Sequence, residues 1–143
     1  MTDANRRAGA SKRDGHGGIG AVTVKHRAAE RWGVRAEGLA AIFLMLKGYR
    51  ILARRCRTPR GELDLVVRRG SAIVAVEVKA RPSVTAAMDA LGPRQRQRII
   101  GGLEMFVAGR PDLTWLDRRA DLVVIRPWRW PVHMVDVMRP IRR

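Results

Sequence analysis

The chain has a single cysteine, Cys56, in 143 residues. One thiol closes no internal disulfide and builds no multi-cysteine zinc site, so a reduced, cytoplasmic setting is expected. Long apolar runs are also missing. The longest, GLAAIFLML from Gly38 to Leu46, is about half of the ~20 residues a membrane span needs. The N-terminal segment carries positive charge with no apolar stretch behind it, which is not the pattern of a secretory signal. No Gly-rich phosphate loop of the Walker type occurs, so ATP dependence is not expected. His16, His26 and His133 are scattered, without metal-ligand spacing. A soluble chain with no membrane span follows from these absences.

Acids are scarce too: 13 Asp and Glu stand against 29 Lys and Arg, a net charge of +16. That excess makes a polyanion the expected partner, nucleic acid first and an anionic membrane surface second. Apolar residues make up 46% of the chain, enough for one domain with a real core. From Met1 to about Arg31 the sequence holds many glycines and few large apolar residues. Such a composition cannot offset its ordering entropy, which predicts a flexible basic tail over residues 1–31 and a folded domain over 32–143. The tail carries +4, so +12 belongs to the domain.

A first helix is predicted from about Val34 to Lys47, stopped by Gly48. Its apolar residues occupy more than one stripe, which predicts burial on several sides. A strand is read at Tyr49 to Arg57, a turn at TPRG, and strands at Glu62 to Val67 and Ala72 to Lys79. Pro93 opens a second helix reaching about Val107, with Ile99, Leu103, Phe106 and Val107 at helical spacing. Ala120 to Arg126 reads as a fourth strand and Val132 to Met138 as an edge strand. The order implies an α/β (α+β) domain, one mixed sheet of four to five strands flanked by helices.

The hairpin GELDLVVRRGSAIVAVEVKAR, Gly61 to Arg81, is interrupted by Glu62, Asp64, Glu77 and Lys79. Strand alternation puts Glu62, Asp64 and Val66 on one face, with Leu63, Leu65 and Val67 on the other. Glu77 and Lys79 share a face with Ile73 and Ala75. A short turn centred on RRGS would pair Glu62 with Glu77 and leave Asp64 diagonal. Opposed like charges at ~5 Å destabilise a sheet, and a divalent cation removes that penalty. Mg²⁺, or Mn²⁺ in its place, takes one or two carboxylates plus water and phosphate oxygens. Asp64 and Glu77 are the candidate carboxylates, the Val78 carbonyl a third ligand, and Lys79 a group to orient water and stabilise charge. A solvated sheet face would carry the same alternation, so two readings stand at this point.

Asp64, a twelve-residue gap and Glu77-Val78-Lys79 resemble the PD-(D/E)XK signature of restriction-endonuclease-like nucleases. The longer stretch from Ala36 to Arg81 is similar to the YraN family of endonuclease-like bacterial proteins, with a Glu-bearing first helix, a Gly-Tyr at its end, and GEIDL- and VEVK-x-R-type strands. The resemblance runs from about Gly33 to Met138. It implies a restriction-endonuclease-like core and nucleic-acid binding. It also implies Asp64 and Glu77 as metal carboxylates, Lys79 as the catalytic lysine, and Glu62 and Arg81 as their motif neighbours. Glu37 matches the first-helix glutamate that approaches the metal site in similar junction-resolving nucleases, and an acid near a helix start is also favoured by the dipole alone. Asp121 matches an aspartate opening the fourth strand, where a structural role is as good a reading. Family members often carry lysine where this chain has Gln95, and Arg94, Arg96 and Arg98 around it, with Arg60, are candidate phosphate grips.

RPWRWP, Arg126 to Pro131, interleaves Trp128 and Trp130 with Arg126 and Arg129. Such an arrangement can stack bases, but tryptophans between prolines after a strand more often close a core edge, and packing is the expectation. Cys56 is expected to be a packed small side chain. Ile42, Phe43, Met45 and Leu46 offer more apolar surface than one sheet face needs; a homodimer interface or a thicker core would absorb it. The expected function is Mg-dependent hydrolysis of DNA phosphodiesters at branched structures. The alternatives are a non-catalytic nucleic-acid-binding module of this fold and an RNA- or ribosome-associated basic protein.

Overall fold

A computed structural model describes residues 18–139. Three helices, one 3-10 turn and five strands follow one another as α1 (Gly18–Leu46), β1 (Arg50–Thr58), β2 (Gly61–Arg69), β3 (Ala72–Ala80), α2 (Val84–Asp89), α3 (Pro93–Ala108), β4 (Asp117–Ile125) and β5 (Val132–Met134), with the 3-10 turn at Pro111–Leu113. The sheet order is β1-β2-β3-β4-β5. Only β3 and β4 run parallel; every other neighbouring pair is antiparallel. A parallel pair needs a crossover, and α2 with α3 supplies it. The expected mixed α/β architecture is therefore present, as a sheet with α1 on one face and α3 on the other.

Each helix reaches the sheet through a stripe at helical spacing. On α3 the buried residues are Ile99, Gly102, Leu103, Phe106 and Val107. They pack on Leu63, Val66, Ile73, Ala75, Leu122 and Val124. A side chain at Gly102 would put its Cβ 3.0 Å from Leu63 and 3.1 Å from the Thr58 hydroxyl. Glycine there lets α3 lie directly against the β1–β2 hairpin. On α1, Ala36, Ala40, Ala41 and Leu44 are buried against Leu65, Val67, Val74, Val76 and Val123. Each fully buried Leu or Val contributes roughly 1.5–3 kcal/mol of hydrophobic stabilisation before entropy is counted.

Three expectations change. First, α1 begins at Gly18 rather than Val34, and residues 1–17, most of the segment read as tail, lie outside the described part. Second, α1 is buried along one stripe and not on several sides: Leu39, Ile42, Met45 and Leu46 stay exposed. Third, the six-residue α2 was not anticipated; Ser83 caps it, its hydroxyl accepting the Ala86 amide at 3.1 Å. The Gly48 stop is as expected, with φ at 88°. No helix among the described residues is long and apolar enough to cross a membrane.

Candidate functional site

The β2–β3 turn consists of Gly70 and Ser71, because Arg69 pairs with Ala72. A two-residue hairpin turn favours positive φ at its first central residue, and Gly70 takes φ 57°. The pairing is thereby shifted two residues from the expected one, with facing unchanged. Extending the observed register of Leu65 with Val76 brings Asp64, not Glu62, level with Glu77.

The ladder between β2 and β3 ends at Leu65 and Val76. Beyond it β2 continues beside β1 to Gly61, and β3 continues beside β4 to Ala80. The sheet forks. In the fork the Asp64 carboxylate accepts the Val78 amide at 2.9 Å, satisfying a donor that the broken ladder leaves unpaired. Strand alternation fails at the same place. Leu63 packs on the α3 side and Leu65 on the α1 side, although they are two residues apart. On β1, Arg55 takes a left-handed φ of 46°. The expected common face for these two leucines is therefore corrected: the strand turns over at Asp64 and points it into the fork.

Glu77 is 7% exposed and held from two sides. Gln95 donates to its Oε1 at 2.8 Å, and Lys79 Nζ lies 3.3 Å from the same oxygen. Burial and then the nearby Asp64 charge push Glu77 up to about 7, with Lys79 opposing them. Burial also raises Asp64, against the lowering effect of the Val78 amide. Two clefts meet at this pair. One of about 180 Å³ opens toward α3 and is lined by Gly61, Glu62, Gln95 and Arg98 with both acids. The other, of about 300 Å³, opens toward α1 and is lined by Trp32, Glu37, Lys79 and Arg81 with both acids.

The structure brings Asp64, Glu77 and Lys79 together and adds Gln95 as the residue that positions Glu77. Glu62 and Glu37 stand in the walls of the two clefts, one in each, with an arginine beside each of them. Glu37 binds Arg55 at 2.7 Å, and the half-exposed Glu62 lies 4.0 Å from Arg57. Among the described residues no group of three or more His, Cys, Asp or Glu is arranged to hold a metal. The donor set is thus two carboxylates, with the Val78 main chain beside them. That set suits a hydrated Mg²⁺ or Mn²⁺ and does not suit a protein-caged Zn²⁺. Burial first, and for Glu77 the Asp64 charge second, raises these carboxyls, and a bound cation would offset both effects.

Of the basic residues, Arg60, Arg81, Arg94 and Arg98 are exposed. Arg96 points inward and donates to the Leu91 and Val137 carbonyls, tying α3 to the C-terminal segment, so its guanidinium is a scaffold group. Cys56 is half-buried beside the α3-side core, the expected packed position. Trp128 and Trp130 do not close the core: Trp128 is fully exposed and Trp130 largely so, and the packing expectation is overturned.

Sequence reasoning missed Trp32 at the α1-side cleft. Ala29, Trp32, Gly33, Ala36 and Glu37 line it at steps of three and four, a helical signal hidden by reading the segment before residue 32 as tail. It also missed the partners of Asp121. That carboxylate is fully buried, receives Arg119 through two bonds of 2.9 Å and the Asp136 amide at 2.8 Å, and lies 2.7 Å from His133 Nε2. Lys47 donates to the other His133 nitrogen at 2.6 Å. This joins β4, β5 and the end of α1, the structural role read for Asp121.

The fold and the forked acidic pair define a mixed α/β protein with a nuclease-like core. Residues 36–125 match the family model described as Uncharacterised protein family UPF0102, and the chain belongs to that family. It is 52% identical to a UPF0102 protein of Parvibaculum lavamentivorans over 79% of this chain and 85% of that one. A Mesorhizobium japonicum relative is 52% identical over 74% and 85% of the two chains. A Paramagnetospirillum magneticum relative is 48% identical over 80% and 92%.

The raised Glu77 carboxyl has a consequence for stability. A carboxyl whose pKa rises on folding, here from an ordinary 4.5 to about 7, makes the folded state bind more protons than the unfolded one. Its stabilisation is complete below pH 4.5 and is lost as pH climbs to 7. In EDTA, stability of the wild-type chain should therefore fall over that window by up to about 1.4 kcal/mol per pH unit relative to Glu77→Gln. Urea denaturation of both proteins across the window measures the difference. Parallel pH profiles would refute the assignment.

Proposed function

We propose that this protein hydrolyses nucleic-acid phosphodiesters with a divalent cation, on DNA and at branched structures. The observation that carries the reading is the convergence of Asp64, Glu77 and Lys79 where the sheet forks, at the meeting of two clefts. Asp64 and Glu77 would hold Mg²⁺ or Mn²⁺, which when bound supplies an activated water and charge stabilisation at the phosphate.

The chain's own groups have separate tasks. Asp64 is fixed by the Val78 amide and Glu77 by Gln95, so both carboxylates are oriented before any ligand arrives. Lys79 presents an ammonium on the same side as Glu77, suited to orienting the attacking water and stabilising charge on the phosphoryl oxygens. The exposed Arg60, Arg94 and Arg98, with Arg81 at the α1-side cleft, supply sequence-independent phosphate contacts. A chain of net charge +16 attracts a polyanion, and the arginines around the acidic pair would guide it there.

The test is cleavage by purified protein of labelled single strands, duplexes, flaps and four-way junctions, as DNA and RNA, in Mg²⁺, Mn²⁺ or EDTA. The expected result is cation-dependent cleavage of DNA, fastest on a branched member and absent in EDTA. Binding of every substrate with no cleavage in either cation would replace this reading with a binding module of the same fold.

A further inference from the structure

Trp128 and Trp130 stand exposed in a loop directly after β4, separated by Arg129 and preceded by Arg126. Exposing two tryptophans is costly, and a large exposed apolar patch on a protein this small marks a contact surface. They are not isolated. Together with Trp32, Ile42 and Leu46 of α1 they border an apolar groove of about 490 Å³. Among the described residues, the charged ones along it are Arg126 and Arg129, and no acid lines it. Arg126 donates to the Trp130 carbonyl at 3.3 Å, which holds the loop in shape.

The groove adjoins the candidate site. Trp32 lines both it and the α1-side cleft that reaches Asp64, Glu77 and Lys79. The loop leaves the sheet at Ile125, whose carbonyl accepts the Arg81 amide two residues beyond Lys79. An occupant of the groove thus sits next to whatever the acidic pair holds.

We propose that this groove stacks unpaired nucleotides, so that the preferred substrate carries a single-stranded segment beside the cleaved phosphate. The proposal deepens the nucleic-acid reading above and rests on it. Every base offers a π face to an indole, so stacking needs no particular sequence. Arginines placed between the tryptophans meet the phosphates that separate successive bases. A duplex keeps its bases stacked internally and cannot use such a surface without being opened. The charge selects the occupant: an apolar groove edged by two arginines suits a chain that alternates aromatic faces with negative charge.

Fluorescence anisotropy with labelled oligothymidine and with a blunt hairpin duplex, in EDTA, tests this without requiring cleavage. The variants are Trp128→Ala, Trp130→Ala, their double and Trp130→Phe. The tryptophans are exposed, so the fold should survive, and thermal melts check it. The double variant should bind oligothymidine about 5- to 100-fold more weakly, with duplex affinity unchanged within about twofold. Trp130→Phe should retain most of the binding. Wild-type protein that fails to bind oligothymidine, or a double variant that binds it as wild type does, overturns the proposal. So does a double variant that passes from dimer to monomer in sedimentation with oligothymidine affinity intact, since the groove would then belong to a second copy. Metal-dependent cleavage that ignores the tryptophans would leave the hydrolytic reading standing and sink this one. Tryptophan-dependent strand binding without cleavage in any metal would do the reverse.

Discussion

Alanine at Glu77 or at Lys79 is expected to reduce metal-dependent cleavage by about 10²–10⁴-fold while leaving the fold intact. The two residues sit 3.3 Å apart on one face of β3, and Glu77 is also gripped by Gln95. Removing Glu77 takes away one of the two carboxylates of the pair, and among the described residues no group of three such side chains is arranged to hold a metal in its place. Removing Lys79 takes away the cation that lies against that carboxylate. The stability arm separates this from simple unfolding. Glu77 is held in a raised state by burial and by Asp64, so Glu77→Ala should melt no lower than wild type near neutral pH in EDTA, apart from the cavity it leaves. Activity within threefold of wild type in either variant would show that the chemistry, if any, lies elsewhere.

Asp121 should give the largest loss of stability in the molecule. Its fully buried carboxylate gathers Arg119, His133 and the Asp136 amide, with Lys47 beyond His133 and Tyr49 beyond Arg119. Burial alone would raise its pKa, but the His133, Arg119 and Asp136 bonds outweigh burial and hold it below the ordinary range. Breaking a buried charged pair from one side costs roughly 3–5 kcal/mol, because the partner stays behind uncompensated. Asp121→Ala should therefore lower Tm by about 10 °C or more, and the native carboxylate's contribution should fade as pH falls through its lowered pKa. Thermal unfolding at pH 7 checks the first statement. A drop of under about 1 kcal/mol would mean the network is ornamental to the fold.

Much of this was legible before any coordinates. The α3 stripe, the two long strands around a turn and the mixed sheet all follow from periodicity, because long amphipathic elements declare the face they bury. Asp64 and Glu77 stood out because acids are rare in this chain and the hairpin concentrates them, while the choice of these two with Lys79 over a solvated face came from the resemblance to the PD-(D/E)XK signature. What escaped has physical reasons. The register depended on which two residues form the turn, and one choice shifted Asp64 into line with Glu77. The fork could not be read from alternation, since it is a failure of alternation at Leu63 to Leu65. The six residues of α2 are too few to show a period. His133 looked idle because its partners, Asp121 and Lys47, are distant in sequence and meet only when β4, β5 and α1 come together. The tryptophans were misread for a different reason: their flanking prolines fit a closed edge as well as an exposed loop.

The fork also makes the site a mechanical aperture. The two acids stand on strands that are stitched together on one side of Leu65 and Val76 and free on the other, so the gap between them is set by how far two halves of one sheet spread. Flexing the β1–β2 hairpin against β3–β4 would open or narrow it as shears do, with the last ladder rung as pivot. The Val78 amide on Asp64 is a stitch across the open side. That amide is accordingly the strain gauge of the aperture: its rate of hydrogen exchange should report the spread directly, slowing when an occupant draws the blades together.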